Sequence, residues 1–376
     1  MNVEQCIKNA NEAHASGNTD EAMQWLKQAG EFGDVNAALD YAYFRSRENP
    51  RKSLAFLEGV KCADNTVVQF HKLQIGYYGD VITNTKLVAK TLIALGNEGV
   101  IEAYLVALSY LPVNSTTFSY IASRVCHLAP NISKQLNLHS ASQVTNDESL
   151  NQEVIEEISE SLGRVYEPSK VLDTSLPINV YESLLSEYEC HYLITKFSSL
   201  LQPSMIVDPR TGEGIIDSVR TSYVAVIEPS HCDWITRKLD KVISQITNTP
   251  RRNGEALNLL RYEPGQQYKP HYDGLNEIND GLMFKDGKQR TKTALVYLNT
   301  VDEGGETLFP KLNIRIVPRC GTVVVFSNSD KDGKLLLNSY HSGAPSISQN
   351  KWIVTKWIRE CTTIYGNVVY GTYTKG

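Results

Sequence analysis

The sequence predicts an α+β multidomain chain, an N-terminal α-helical solenoid followed by a jelly roll with flanking helices. Residues 3–162 keep a helical period and are rich in Ala, Leu, Glu and Lys, with almost no strand signal. Within them the pattern repeats weakly at roughly 31 to 36 residues, the range of helix-pair solenoids. After Pro250 the texture changes to short strand-like runs separated by turns. At 376 residues the chain is also too long for one ordinary core.

In the helical half, residues 20–29 lead to 33–38, residues 51–57 to 63–65, and residues 90–96 to 99–103. Small residues at Ala29, Gly30, Gly33 and Ala37 let one helix lie close on the next. The first unit, from Ala13 through Asp20-Glu21-Ala22 to Gly33-Asp34, resembles the Sel1-like and tetratricopeptide repeat families. The resemblance implies stacked helix pairs whose concave face binds a peptide or protein. Bracing or dimerising the second domain is the competing role, and Tyr41, Tyr43, Phe44, Tyr77 and Tyr78 belong either to a groove or to the core. A last helix is expected over residues 146–160, with a cap in Asp147-Glu148-Ser149.

The boundary is expected near Glu167, giving a helical domain at 1–165, a strand-rich domain at 166–361 and a tail at 362–376 that adds an edge strand or joins a dimer contact. Helices are expected over 183–201 and 234–246, with a polar turn at 208–212. Strands are expected at 257–261, 293–299, 306–309, 314–317, 322–327 and 351–358, a spacing that suits a sandwich or jelly roll.

Composition excludes several classes. The 37 basic and 42 acidic residues are spread along the chain without the basic stripe that a phosphate backbone requires, so nucleic acid is not an expected partner. The seven cysteines (Cys6, Cys62, Cys126, Cys190, Cys232, Cys320, Cys361) are scattered with no Cys-x-x-Cys pair and are expected as reduced thiols. Met1-Asn2-Val3-Glu4-Gln5 lacks a basic and apolar leader, and no run is long enough to span a bilayer, so no membrane partner and a cytoplasmic location are expected.

His271 and Asp273 are two apart, so on an extended strand they project from one face. An imidazole and a carboxylate so placed, joined by an imidazole from a distant strand, make the two-histidine, one-carboxylate triad that holds non-haem Fe(II) with positions left open. Residues on a polar loop that only bond solvent share that local pattern. His341 is the single histidine downstream of His271, so a third ligand from the strand-rich region falls to it. Lys351 then opens a run in which alternation puts Lys351, Ile353, Thr355 and Trp357 on one face and Trp352, Val354, Lys356 and Ile358 on the other. A cation inside a small barrel needs an anion. If the first face points inward, a dicarboxylate co-substrate supplies one within reach of Lys351 and Thr355, and Lys356 faces outward. A lysine at an exposed strand end is the alternative.

The order of motifs carries a resemblance. Arg261-Tyr262-Glu263-Pro264-Gly265, then Tyr268-Lys269-Pro270-His271-Tyr272-Asp273, Tyr297-Leu298-Asn299, Glu303-Gly304-Gly305-Glu306-Thr307-Leu308-Phe309-Pro310, Pro318-Arg319-Cys320-Gly321, His341-Ser342-Gly343 and Lys351-Trp352 with Trp357 resemble the catalytic domain of prolyl 4-hydroxylases over residues 171–360. These are Fe(II)- and 2-oxoglutarate-dependent dioxygenases. The resemblance implies a cupin-like double-stranded β-helix, iron held at His271, Asp273 and His341, and Lys351 paired with the distal carboxylate of 2-oxoglutarate, to which Tyr262 hydrogen-bonds. It also implies that Tyr268, Arg290 and Trp357 lie near the substrate groove and that Arg220-Thr221-Ser222 belongs to an early core strand. The implied cofactors are Fe(II), 2-oxoglutarate and O₂, with L-ascorbate as a further candidate.

The implied reaction couples decarboxylation of 2-oxoglutarate to succinate and CO₂ with hydroxylation of a C–H bond, and residues 276–290 are a candidate substrate lid. Three readings stand: a hydroxylase of prolyl residues in a peptide or protein; the same chemistry on a free amino acid or other small molecule; and a solenoid interaction protein whose oxygenase domain is a scaffold.

Overall fold

The computed structural model describes residues 2–140, 147–207, 214–215, 219–276 and 280–371. The polar turn expected at 208–212 and residues 277–279 of the candidate lid lie outside the described residues. The chain divides into two compact units, Met1–Arg164 with Tyr370–Gly376, and Val165–Val369.

The first unit holds α1 (Val3–Ala15), α2 (Thr19–Glu31), α3 (Val35–Ser46), α4 (Pro50–Gly59), α5 (Thr66–Tyr78), α6 (Thr85–Asn97), α7 (Ile101–Leu108), α8 (Thr116–Leu128), α9 (Pro130–Gln135) and α10 (Glu148–Leu162). From α1 to α9 each helix packs on its successor, and α10 packs on α6 and α8. Capping side chains set the helix starts. Asn2, Asn18, Asp34, Asn49, Asn65 and Asn84 each accept from a first-turn backbone N–H, and each such cap stabilises its helix by about 1 kcal/mol. Glycine sets the closest approaches. A Cβ on Gly30 would lie 2.8 Å from Ala38 Cα, and one on Gly96 would lie 2.4 Å from the Tyr104 ring. Tyr77 and Tyr78 are buried in this unit's core. Among the described residues no helix is long and apolar enough to cross a membrane.

The second unit contains β1 (Lys170–Val171), β2 (Ile178–Tyr181), α11 (Glu187–Phe197), β3 (Gln202–Pro203), β4 (Ile206–Val207), β5 (Gly214–Ile215), β6 (Tyr223–Val226), α12 (Trp234–Thr247), β7 (Asn258–Tyr262), β8 (Tyr268–His271), α13 (Gly281–Phe284), β9 (Arg290–Tyr297), β10 (Thr307–Phe309), β11 (Ile314–Ile316), β12 (Val323–Ser327), β13 (His341–Gly343), β14 (Lys351–Arg359) and α14 (Ile364–Tyr370). An eight-stranded sheet runs β1-β2-β12-β9-β14-β7-β6-β3, a four-stranded sheet runs β11-β10-β13-β8, and β4 pairs with β5; every pairing is antiparallel.

The large sheet is buried on both faces, which explains its nearly continuous apolar strands. Leu259, Ala294, Val296, Val323, Val325, Val354 and Ile358 pack in one core with Leu193 and Phe197 of α11 and Leu239 and Ile243 of α12. Their alternates Leu260, Leu295, Tyr297, Val324, Phe326 and Ile353 pack in another with Phe309 and Ile316 of the small sheet. The period of two therefore sorts each strand into a helix-facing and a sheet-facing row.

Lys356 points away from the small sheet as expected, yet it is buried rather than exposed, with its Nζ 2.8 Å from Asp240 Oδ1 on α12. A second layer of helix covers that face, so outward is not solvent. The tail forms no edge strand over 364–370 but the helix α14. Thr363 Oγ1 accepts from Gly366 N at 2.8 Å, and Gly366 lies so close to Arg252 that a Cβ would sit 1.9 Å from its carbonyl oxygen.

Candidate active site

Antiparallel pairing of β8 with β13 brings together residues seventy apart. His271 and His341 are directly opposite in the register, and their rings lie 4.4 Å apart. Asp273 falls just past the end of β8 and stays on the same side, with Oδ1 3.5 Å from His271 Nε2 and Oδ2 3.6 Å from His341 Nε2. One donor atom from each of the three lies within 4.8 Å of the others. His271 and Asp273 were read as strand neighbours; β8 ends at His271, so Asp273 lies just beyond the strand.

The tautomers follow from the backbone. His271 Nδ1 is 2.8 Å from Lys269 O and His341 Nδ1 is 2.9 Å from Ser339 O. A carbonyl only accepts, so each Nδ1 carries a proton and each Nε2 is the nitrogen turned toward the centre. Burial pushes His341 down to about 4, helped by the neighbouring His271 and opposed by Asp273, so its ring is neutral at pH 7. Burial alone would raise the Asp273 carboxyl, but His341 first, then His271 and Arg290, hold it well below the usual carboxylate range. Two imidazole nitrogens and one carboxylate on a concave surface suit a divalent iron.

The three face a pocket with about 460 Å³ of empty space. Its walls include Lys351, Ile353, Thr355 and Trp357 of β14, which form one alternating face, together with Tyr262, Tyr268, Thr307 and Arg220. Lys351 is 2% exposed. Its Nζ lies 5.4 Å from the Tyr262 ring centroid and 5.9 Å from that of Tyr297, and it makes no ion pair among the described residues. Burial pushes this lysine down to about 8, with Glu306 opposing. The pocket thus contains a desolvated cation, which a bound anion would offset.

Tyr268 stacks on His271 with centroids 3.5 Å apart, and Arg220 lies over the Tyr268 ring, 4.9 Å from its centroid. Burial pushes the Tyr268 hydroxyl up to about 12. Arg220 joins Tyr268 through an isolated bridge, ahead of β6, instead of sitting within a core strand. Arg290 is not among the pocket-lining residues. It lies against the Trp357 ring at 4.0 Å, with Nε and Nη2 bonded to Glu255 at 2.7 and 2.8 Å. Sequence reading missed Thr293 and Asn328: Thr293 Oγ1 donates to Asp273 Oδ2 at 2.7 Å and accepts from Asn328 Nδ2 at 2.9 Å. Neither sits in a local motif, and only the β9–β12 register brings them to the site.

Residues 257–359 match the 2OG-Fe(II) oxygenase superfamily. A probable prolyl 4-hydroxylase 3 of Arabidopsis thaliana is 36% identical over 222 residues, which are 54% of this chain and 76% of that protein. The chain belongs to the prolyl 4-hydroxylases of the 2OG-Fe(II) oxygenase superfamily. Prolyl 4-hydroxylase 5 of the same plant is 38% identical to this family member over 198 residues, 47% of this chain and 66% of that one. A crystal structure of viral collagen prolyl hydroxylase from Paramecium Bursaria Chlorella virus-1, in complex with 2OG, aligns with 48% of this chain and 95% of that chain at 29% identity and a TM-score of 0.39. As a prolyl 4-hydroxylase family member the chain is a 2-oxoglutarate-dependent dioxygenase that uses Fe(II), 2-oxoglutarate and O₂.

Proposed function

We propose that the enzyme hydroxylates prolyl residues in a peptide or protein, with His271, Asp273 and His341 holding Fe(II) and with Lys351 paired to the distal carboxylate of 2-oxoglutarate. The observation that carries this reading is the convergence, in one pocket, of the three donor groups and a buried cation that makes no ion pair among the described residues. When bound, Fe(II) with 2-oxoglutarate and O₂ supplies the oxidising chemistry, yielding succinate, CO₂ and one hydroxylated C–H bond.

The chain's own residues do the rest. Nδ1–H bonds to Lys269 O and Ser339 O hold both imidazoles with Nε2 toward the iron position. Lys351 gives a dicarboxylate its counter-charge in the pocket, with Tyr262 and Thr355 as further binding groups. Tyr268 and Trp357 are apolar walls that exclude water and orient the target C–H bond, and Arg290 fixes the Trp357 ring from behind. In this reading the two antiparallel sheets form a double-stranded β-helix, and the successive helix pairs of the first unit form a Sel1/tetratricopeptide-like solenoid that recruits substrate.

The test is mass spectrometry of proline-containing peptides, whole proteins and free amino acids. The expected result is a gain of one oxygen on peptidyl proline that depends on Fe(II) and 2-oxoglutarate, with whole proteins preferred if the helical unit recruits. The expected outcome for His271→Ala is loss of succinate formation in the presence of the true substrate, and undiminished turnover in that variant would sink the assignment. Oxygen gain only on a free amino acid would replace the peptide reading.

A further inference from the structure

We infer that Thr293 and Asn328 form a directed hydrogen-bond relay that commits Asp273 to binding metal through one oxygen, so that both are positioning residues of the iron site. The inference rests on reading His271, Asp273 and His341 as the ligands. All three members of the relay are buried: Asp273 is 5% exposed, Thr293 1% and Asn328 0%.

The direction of the relay follows from what each group can do. Asn328 Nδ2 only donates, so a lone pair of the Thr293 hydroxyl is occupied at 2.9 Å. The ionised Asp273 carboxylate only accepts, so the single hydroxyl proton goes to its Oδ2 at 2.7 Å. Oδ2 is thereby held from β9, whereas Oδ1 faces His271 Nε2 at 3.5 Å. A carboxylate free to rotate could take two coordination positions. An iron held by His271, Asp273 and His341 that also had to take 2-oxoglutarate and O₂ would have room for only one Asp273 oxygen.

Asn328 also ties the carboxylate to the second histidine. Its backbone N–H donates to Thr291 O at 2.8 Å, and its carbonyl accepts from Leu336 N at 2.9 Å. Ser339 N then donates to Leu336 O at 3.0 Å, and Ser339 O accepts from His341 Nδ1 at 2.9 Å. One continuous run of hydrogen bonds therefore links the orientation of Asp273 to that of His341. An Asn at this point supplies both the donor to Thr293 and the backbone anchor for the His341 segment.

The experiment titrates the full chain with Mn(II), a redox-inert probe of the site, counting free ion by electron paramagnetic resonance with and without 2-oxoglutarate. Thr293→Val keeps the shape and removes the hydroxyl. It is expected to weaken Mn(II) binding by about 10- to 100-fold, and 2-oxoglutarate is expected to tighten Mn(II) binding less than in wild type because the released oxygen competes for a position. Thr293→Ser is expected to restore both, with metal-free melting temperatures of the two variants alike. Wild-type-like Mn(II) binding by Thr293→Val, or no rescue by Thr293→Ser, overturns the relay. Should Thr293→Val fail to fold, Asn328→Ala takes its place; it is expected to weaken Mn(II) binding by a smaller factor, and unchanged binding overturns the proposal. His271→Ala separates the two levels: if it binds Mn(II) as tightly as wild type, the ligand reading itself falls, and the relay with it.

Discussion

Replacing Lys351 by Met should make the metal-free protein more stable and the co-substrate weaker, two effects that rarely coincide. The side chain is 2% exposed and has no ion pair among the described residues. Burial pushes its ordinary value of 10.5 down to about 8. That displacement corresponds to about 3 kcal/mol of destabilisation while the lysine is charged in the fold. Below pH 8 both folded and unfolded chains carry the proton, and the full penalty is present. Between pH 8 and 10.5 the unfolded chain holds the proton and the folded chain has lost it, so wild-type stability rises with pH across that window and the penalty is gone above it. Lys351→Met should therefore exceed wild type by up to about 3 kcal/mol at pH 7, with the gap shrinking by pH 10. Urea unfolding of metal-free protein at the two pH values measures it. In the same variant, losing one partner of a buried charge pair should weaken 2-oxoglutarate by about 2–5 kcal/mol, at least about thirtyfold in Kd, measured on the Mn(II)-loaded enzyme. A variant less stable than wild type at pH 7, or one that binds 2-oxoglutarate equally well, would refute the reasoning.

The other lysine of the strand should behave in the opposite way. Lys356→Ala breaks the buried ion pair with Asp240 and should cost about 3–5 kcal/mol in urea unfolding, with 2-oxoglutarate affinity unchanged in the folded enzyme. In the helical unit, Gly96→Ala places a Cβ 2.4 Å from the Tyr104 ring, and the forced shift should cost about 1–3 kcal/mol. Far-UV circular dichroism during urea unfolding tests it, and unchanged stability would mean that α6 and α7 are not held at glycine distance.

Much of the fold was legible because its determinants are local. Helix starts were marked by capping residues about every sixteen positions, from Asn2 through Asn84, and the strand-rich half announced itself by β-branched runs. Strand β8 was read only as an extended stretch around His271 and Asp273, and β13 was not assigned, because Tyr268–His271 and His341–Gly343 are short and polar. They become strands only by pairing with each other and, for β13, with β10. Of the two alternatives left open for the tail, the edge strand fails over 364–370 because the deciding contacts, Thr363 with Gly254 and Gly366 against Arg252, are long-range.

The same division explains what could be read of the site. The two-residue alternation along β14 separates Lys351 from Lys356, and that depends on nothing but the pleat. Whether a residue facing away from a sheet meets water depends on what packs there, which no strand encodes; α12 covers Lys356 and supplies Asp240. Thr293 lies on the pocket side of β9 and has no motif of its own, so its link to Asp273 could be found only after β9, β12 and β8 were assembled. Residues that would meet the metal or 2-oxoglutarate directly are constrained in chemical type and stand out in a sequence. Those that orient them are constrained only in position, and it is through position that Thr293 and Asn328 would govern how many oxygens Asp273 offers.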